Sequence, residues 1–160
     1  MKIVKYEDKY LEDVRKLLTE LEEYLVSIDE DQLDQVHEEY YEKMALIDLK
    51  EVDENNGVCY LAIENDKVLG LIMGTIPGHD EFDYLDYKCP RRGIITELIV
   101  TREARGKNIG ITLMNYIEKY FKDNGCEYSY VDVFAYNKSA INFYNIDGYH
   151  ARMYTNIKKL

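Results

Sequence analysis

The 160-residue chain has little of three things: long apolar runs, positive charge and cysteine. Its apolar stretches are as short as Ile94-Ile95 and Leu98-Ile99-Val100, whereas a membrane-spanning helix needs roughly 20 consecutive apolar residues. The opening residues, Met1-Lys2-Ile3-Val4-Lys5-Tyr6-Glu7, have no signal-peptide pattern. A soluble cytoplasmic protein without a membrane partner is the expectation. Twenty Lys and Arg stand against 31 Asp and Glu, a net charge of −11. Phosphate neutralisation supplies most sequence-independent affinity for DNA or RNA, so no nucleic-acid partner is expected. An anionic membrane surface is disfavoured for the same reason, and a cationic partner is favoured. Cys59, Cys89 and Cys126 are odd in number and form no CxxC pair, which argues against a disulfide framework or a zinc site. His37, His79 and His150 are equally scattered, so no metal is expected.

What the chain does have is the composition of a globular protein, 46% apolar and 32% charged. Its length suits one domain over residues 1–160. Ile3 to Tyr6 reads as a strand, and Leu11, Val14, Leu18, Leu21 and Leu25 mark one face of a helix. A second helix is expected from about Leu33 to Leu49, with Val36, Tyr40, Met44 and Ile47 as its apolar stripe. Strands follow at Val58–Ile63 and Val68–Ile76, joined by a tight turn at Asn65-Asp66, residues that accept left-handed backbone. After a polar, aromatic loop from His79 to Arg92 come a central strand to Val100 and a helix from Gly106 to Asn124 ended by Gly125. A strand from Tyr128 to Phe134, a short helix from Ser139 to Ile146 and a last strand from Tyr149 to Ile157 complete the order. That order, β-α-α-β-β-β-α-β-α-β, implies an α/β fold with a mixed, mostly antiparallel central sheet flanked by helices.

Two segments carry chemistry. In the first, the apolar strand Leu98-Ile99-Val100 runs through Arg102 and Arg105 into Gly106-Lys107-Asn108-Ile109-Gly110-Ile111 and a helix. Backbone N–H groups at a helix start bind anions, aided by the helix dipole. Gly106 and Gly110 permit close approach to the backbone, and the basic side chains suit a pyrophosphate. Neither a Walker A loop nor a Gly-x-Gly-x-x-Gly fingerprint is present. The second segment runs from Asn137 to Tyr149. Asn137 is placed to cap a short helix, with Tyr144 seven residues on along the same face. A tyrosine there is a capable proton donor.

Together the segments resemble the GNAT superfamily of acyl-CoA-dependent N-acetyltransferases. Its Arg/Gln-x-x-Gly-x-Gly/Ala motif reads Arg105-Gly106-Lys107-Asn108-Ile109-Gly110, and its Asn-x-x-Ala-x-x-x-Tyr-x-x-x-Gly-aromatic pattern matches Asn137, Ala140, Tyr144, Gly148 and Tyr149. Asn108 replaces the motif's first glycine; Asn is among the few other residues that tolerate positive φ.

The resemblance implies acetyl-CoA as donor cosubstrate. Its pantetheine would lie along Leu98, Ile99 and Val100, and its pyrophosphate on the loop from Arg105 to Ile111, which includes Lys107. Asn137 would contact the pantetheine, and Tyr144 would protonate the leaving thiolate. Acyl transfer also needs a base for the amine proton, and Glu97, on the central strand, is the local candidate. The acceptor would be a small-molecule or peptide amine, met by carboxylates such as Asp29 and Asp83 and by the ring of Tyr84. Relatives make a homodimer a further expectation. The competing readings are a catalytically inactive acyl-CoA-binding sensor and, from the helix start alone, a nucleotide-phosphate-binding protein.

Overall fold

The computed structural model describes all 160 residues. Its elements are β1 (Lys2–Lys5), α1 (Leu11–Ile28), α2 (Tyr40–Glu54), β2 (Val58–Glu64), β3 (Lys67–Thr75), β4 (Arg92–Val100), α3 (Ile109–Asp123), β5 (Tyr128–Val131) and α4 (Lys138–Ile146). The strands form one sheet in the order β1-β2-β3-β4-β5, antiparallel except for the parallel pair β4–β5. The β2–β3 hairpin closes as expected through Asn65 and Asp66, at φ of 51° and 60°. Expectation and structure agree on a mostly antiparallel sheet between helices.

Each face of the sheet has its own core. Val14, Leu17 and Leu18 of α1 and Ala45 and Val52 of α2 pack with Leu61, Leu71, Met73 and Ile99 on one face. Leu113, Met114, Ile117 and Phe121 of α3, with Tyr144 of α4, pack with Ala62, Ile72 and Ile95 on the other.

Two features of β4 make the site. Met73 pairs with Glu97 and Gly74 with Ile95, which leaves Thr96 as a bulge. The extra residue reverses the side-chain alternation, so Ile95 joins the α3 core while Glu97 shares the α1–α2 face with Ile99. The parallel pairing with β5 covers only Arg92–Ile95 opposite Tyr128–Val131. Beyond it the strands part, and Glu97 to Val100 have no strand on that side.

Four elements differ from expectation: the helix expected from Gly106 begins at Ile109, and three others depart further. The second helix starts at Tyr40, not Leu33, and runs on to Glu54, not Leu49. Residues 29–34 are wound instead around the Asp29 carboxylate, which accepts the N–H groups of Asp31, Leu33 and Asp34, while Gln32 takes φ 56°. Val36 and Ile47 are exposed, and the buried face of α2 is Ala45, Asp48 and Val52. The strand expected to reach Phe134 stops at Val131. The last strand, expected over Tyr149–Ile157, is absent. Tyr149 is anchored through its hydroxyl to Glu118 and Ser129, but residues 150–160 are exposed and pair with no strand, so their backbone has no ladder to join.

Candidate functional site

Where β4 and β5 separate, a cleft of about 410 Å³ opens, lined by Leu98, Ile99 and Val100 on one side and by Asn137, Ala140 and Tyr144 on the other. The loop from Ala104 through Arg105, Gly106 and Asn108 to Ile109, Gly110 and Ile111 forms its end, and Leu21 and Tyr24 of α1 overhang it. These are largely the residues the sequence singled out, gathered from β4, α3 and α4 into one wall.

Local causes are visible at each part. Asn108 is the N-cap of α3 in the left-handed region, φ 59°, ψ 16°, and no side chain caps the helix. The N–H groups of Ile109, Gly110 and Ile111 therefore have neither an intrahelical partner nor a cap. Gly106 holds φ 77° with open space where a Cβ would stand, so it needs glycine for its backbone. A Cβ at Gly110 would stand 3.4 Å from the Phe143 ring, an ordinary van der Waals contact, so the packing of α3 on α4 does not itself require glycine there.

Arg105 is already engaged. Its Nε donates to the Val100 carbonyl at 3.1 Å, and its guanidinium lies 5.8 Å from the Tyr24 ring. Asn137 caps α4 as expected, its Oδ1 accepting the Ala140 N–H at 3.1 Å. Lys107 is exposed and lies outside the cleft lining.

The charged centre lies beside this cleft. Glu97 is half-buried, and burial, followed by the carboxylates of Asp48, Glu22 and Glu51, pushes its pKa up to about 8. Tyr144 is 8% exposed; burial and then the nearby charge of Glu97 raise its pKa, so it remains a protonated phenol at neutral pH. Tyr40 is raised by burial and by Glu22, Glu97 and Asp48. Asp48 is raised to about 6 by burial and by Glu51, and Glu22 is raised by burial and by Asp34. No ion pair engages Glu22, Asp48, Glu51 or Glu97. Sequence reading missed Glu22, Tyr40 and Asp48. The available signal was Asp48 itself, a carboxylate at helical spacing between the apolar Ala45 and Val52.

The acceptor residues expected from sequence lie elsewhere. Asp29 is 9% exposed, and its backbone hydrogen bonds, that from Asp34 foremost, hold its pKa below the usual range. Asp83 accepts the Asp80 N–H at 3.0 Å within its own loop, and Tyr84 is exposed. None of the three lines the cleft.

A family model described as the acetyltransferase (GNAT) family matches residues 14–149. The chain belongs to the GNAT family of acetyltransferases. A mutant of the BH1408 protein from Bacillus halodurans shares the GNAT fold of this chain at TM-score 0.88 and 19% identity, over 100% of this chain and 99% of the other. An acetyltransferase from Trypanosoma brucei matches at TM-score 0.68 and 15% identity over 99% of each chain. The aminoglycoside N-acetyltransferase AAC(6')-Iy, solved in complex with CoA, matches at TM-score 0.68 and 14% identity, over 99% of this chain and 100% of its own. No curated protein matches the sequence. Within the GNAT fold the cleft falls at the parting of β4 and β5. No helix of this GNAT protein is long and apolar enough to cross a membrane.

Proposed function

We propose that this protein is an N-acetyltransferase that moves an acetyl group from acetyl-CoA to a primary amine, by direct attack in a ternary complex. The acceptor is a cationic small molecule or a peptide amine, and one domain over residues 1–160 carries the reaction. The observation that carries the reading is the cleft at the unpaired edge of β4, which Tyr144 lines and beside which Glu97 lies near enough for its charge to add to the effect of burial on the Tyr144 phenol.

The residues present fit the donor. The uncapped N–H groups of α3 and the open space at Gly106 suit a pyrophosphate. The edge of Leu98 and Ile99 offers backbone partners to an extended pantetheine, while the Val100 carbonyl is held by Arg105. Asn137 spends its oxygen on the α4 cap, which leaves its amide N–H groups for the donor.

In the reaction the amine nitrogen bonds to the acetyl carbon as the carbon–sulfur bond breaks. Glu97, directly or through a water, takes the proton the amine loses. Tyr144 gives a proton to the departing sulfur. A buried carboxylate with a raised pKa is a stronger base than an exposed one, and a buried phenol is available as an acid.

Thermal unfolding with acetyl-CoA, CoA and ATP tests the donor. A ligand at a hundredfold excess over its Kd adds about 2.7 kcal/mol, so acetyl-CoA and CoA raise Tm and ATP does not. No shift at millimolar acetyl-CoA overturns the reading. Turnover with an amine panel then separates an enzyme from an inactive sensor, with Tyr144→Phe lowering kcat while leaving the donor-induced shift in place.

A further inference from the structure

The carboxylates beside Glu97 exceed what one reacting amine needs. Asp48 projects from the buried face of α2, between Ala45 and Val52, and is 8% exposed. Its Oδ2 is fully enclosed and has no hydrogen-bond partner. Burying such an oxygen without a partner is costly unless something completes it. Asp48 shares with Glu97 the face of the sheet on which α1 and α2 pack; the charges of Asp48, Glu22 and Glu51 bear on Glu97, and those of Glu22, Glu97 and Asp48 bear on Tyr40. Beyond this set, the charge of Asp34 bears on Glu22 and that of Glu97 bears on Tyr144. No ion pair engages any carboxylate of this set, and Arg15 of α1 pairs with Glu12 and Glu42 instead.

A metal ion is the wrong occupant. No three of these side chains converge closely enough to ligate one. Carboxylates spread over three elements around a phenol suit a larger organic cation, whose N–H groups reach separate oxygens and whose charge rests against the Tyr40 ring.

Resting on the acetyltransferase reading, we propose that the acceptor is a di- or polycationic amine whose second ammonium group is bound by Asp48 and Glu22, while its reacting nitrogen stands at Glu97. Asp48 is then a specificity-determining residue. The second ammonium also places a positive charge beside Glu97, which favours the ionised carboxylate that the reaction needs.

The test compares kcat/KM for putrescine, cadaverine and hexamethylenediamine with that for n-butylamine, n-pentylamine and n-hexylamine, using wild type, Asp48→Asn and Glu22→Gln. A charge-assisted hydrogen bond to a buried carboxylate predicts a preference of ~10- to 100-fold for at least one diamine over its monoamine. Asp48→Asn is expected to bring that ratio close to one, and Glu22→Gln to lower it in part. Equal rates for mono- and diamines in wild type, or a preference that survives Asp48→Asn, overturn the proposal. Acetyl-CoA-induced thermal shifts, measured on every variant, show that each still folds and binds donor. Should no amine turn over although acetyl-CoA binds, the catalytic reading fails, and calorimetry of the diamines with CoA-loaded protein decides this one. Binding that Asp48→Asn removes sustains it, and no binding sinks it.

Discussion

The two sides of β4 are built on opposite plans. Toward α3 and α4 the strand presents Leu98, Val100 and backbone, and the adjoining loop presents uncapped N–H groups at Asn108 to Ile111. Toward α1 and α2 it presents Glu97 to Glu22, Tyr40 and Asp48. The first side leaves main-chain N–H groups without partners, in a protein of net charge −11. The second gathers carboxylates that have no counter-ion, where the proposed acceptor amine sits. The bulge at Thr96 joins them, because it turns Glu97 away from the core that Ile95 enters. On the proposed reading, one strand thus meets an anionic donor on one side and a cationic acceptor on the other without either charge facing its like.

Removing the group at the seam is expected to have the largest effect. Glu97→Gln keeps the shape and loses the base. General acid–base catalysis is typically worth ~10²- to 10⁴-fold, so kcat/KM is expected to fall by about that range while donor binding stays intact. In wild type, kcat/KM rises with pH through about 8, where Glu97 ionises in the free protein, and that limb is absent from the variant. A profile that keeps the limb removes Glu97 as the base.

The donor side is tested at Gly106. An alanine there has room for its methyl group but must adopt φ 77°. Left-handed backbone costs a non-glycine residue roughly 1–2 kcal/mol. If the loop holds that conformation mainly when the donor is bound, the Kd for acetyl-CoA rises by up to about tenfold with a small change in Tm. A fall in Tm with unchanged Kd would instead show the loop to be fixed in advance.

The donor side was legible in sequence because its determinants are local. Consecutive residues from Leu98 to Ile111 make strand, loop and helix start, and Asn108 takes the positive φ that few other residues accept. Asn137 and Tyr144 likewise belong to one short helix. The acceptor side was not legible, since it depends on how α1 and α2 are turned toward β4. A stripe of Val36, Tyr40, Met44 and Ile47 is the natural reading of the region when apolar residues alone are counted. The real helix begins at Tyr40, because Asp29 organises the preceding residues, and it buries Asp48. A rule that assigns carboxylates to the solvent face fails at Asp48, which the fold holds inside. The final strand failed for a different reason: its residues have strand-like composition but no free ladder to pair with.

The acceptor side also predicts a stability effect, far below the change at Glu97 and comparable with that at Gly106. The pKa of Asp48 is raised from 3.8 to about 6 in the folded protein. Between those values the native state binds more protons than the unfolded chain, so stability falls as pH rises across that window and stays lower above it. Asp48→Asn removes the titration. The variant is therefore expected to gain ~1–2 kcal/mol on wild type above pH 6, seen as a Tm higher by a few degrees, and to lose that advantage below pH 4. Glu97→Gln behaves alike over a wider span, because Glu97 titrates from 4.5 up to about 8. A diamine should cancel the gain by completing the wild-type carboxylate, so Tm for wild type and Asp48→Asn should converge as diamine is added. Convergence with the diamine but not with its monoamine would tie the buried charge to the acceptor. Wild type less stable than the variant at every diamine concentration would mean that Asp48 binds no ammonium group, and is a cost the fold bears for some other reason.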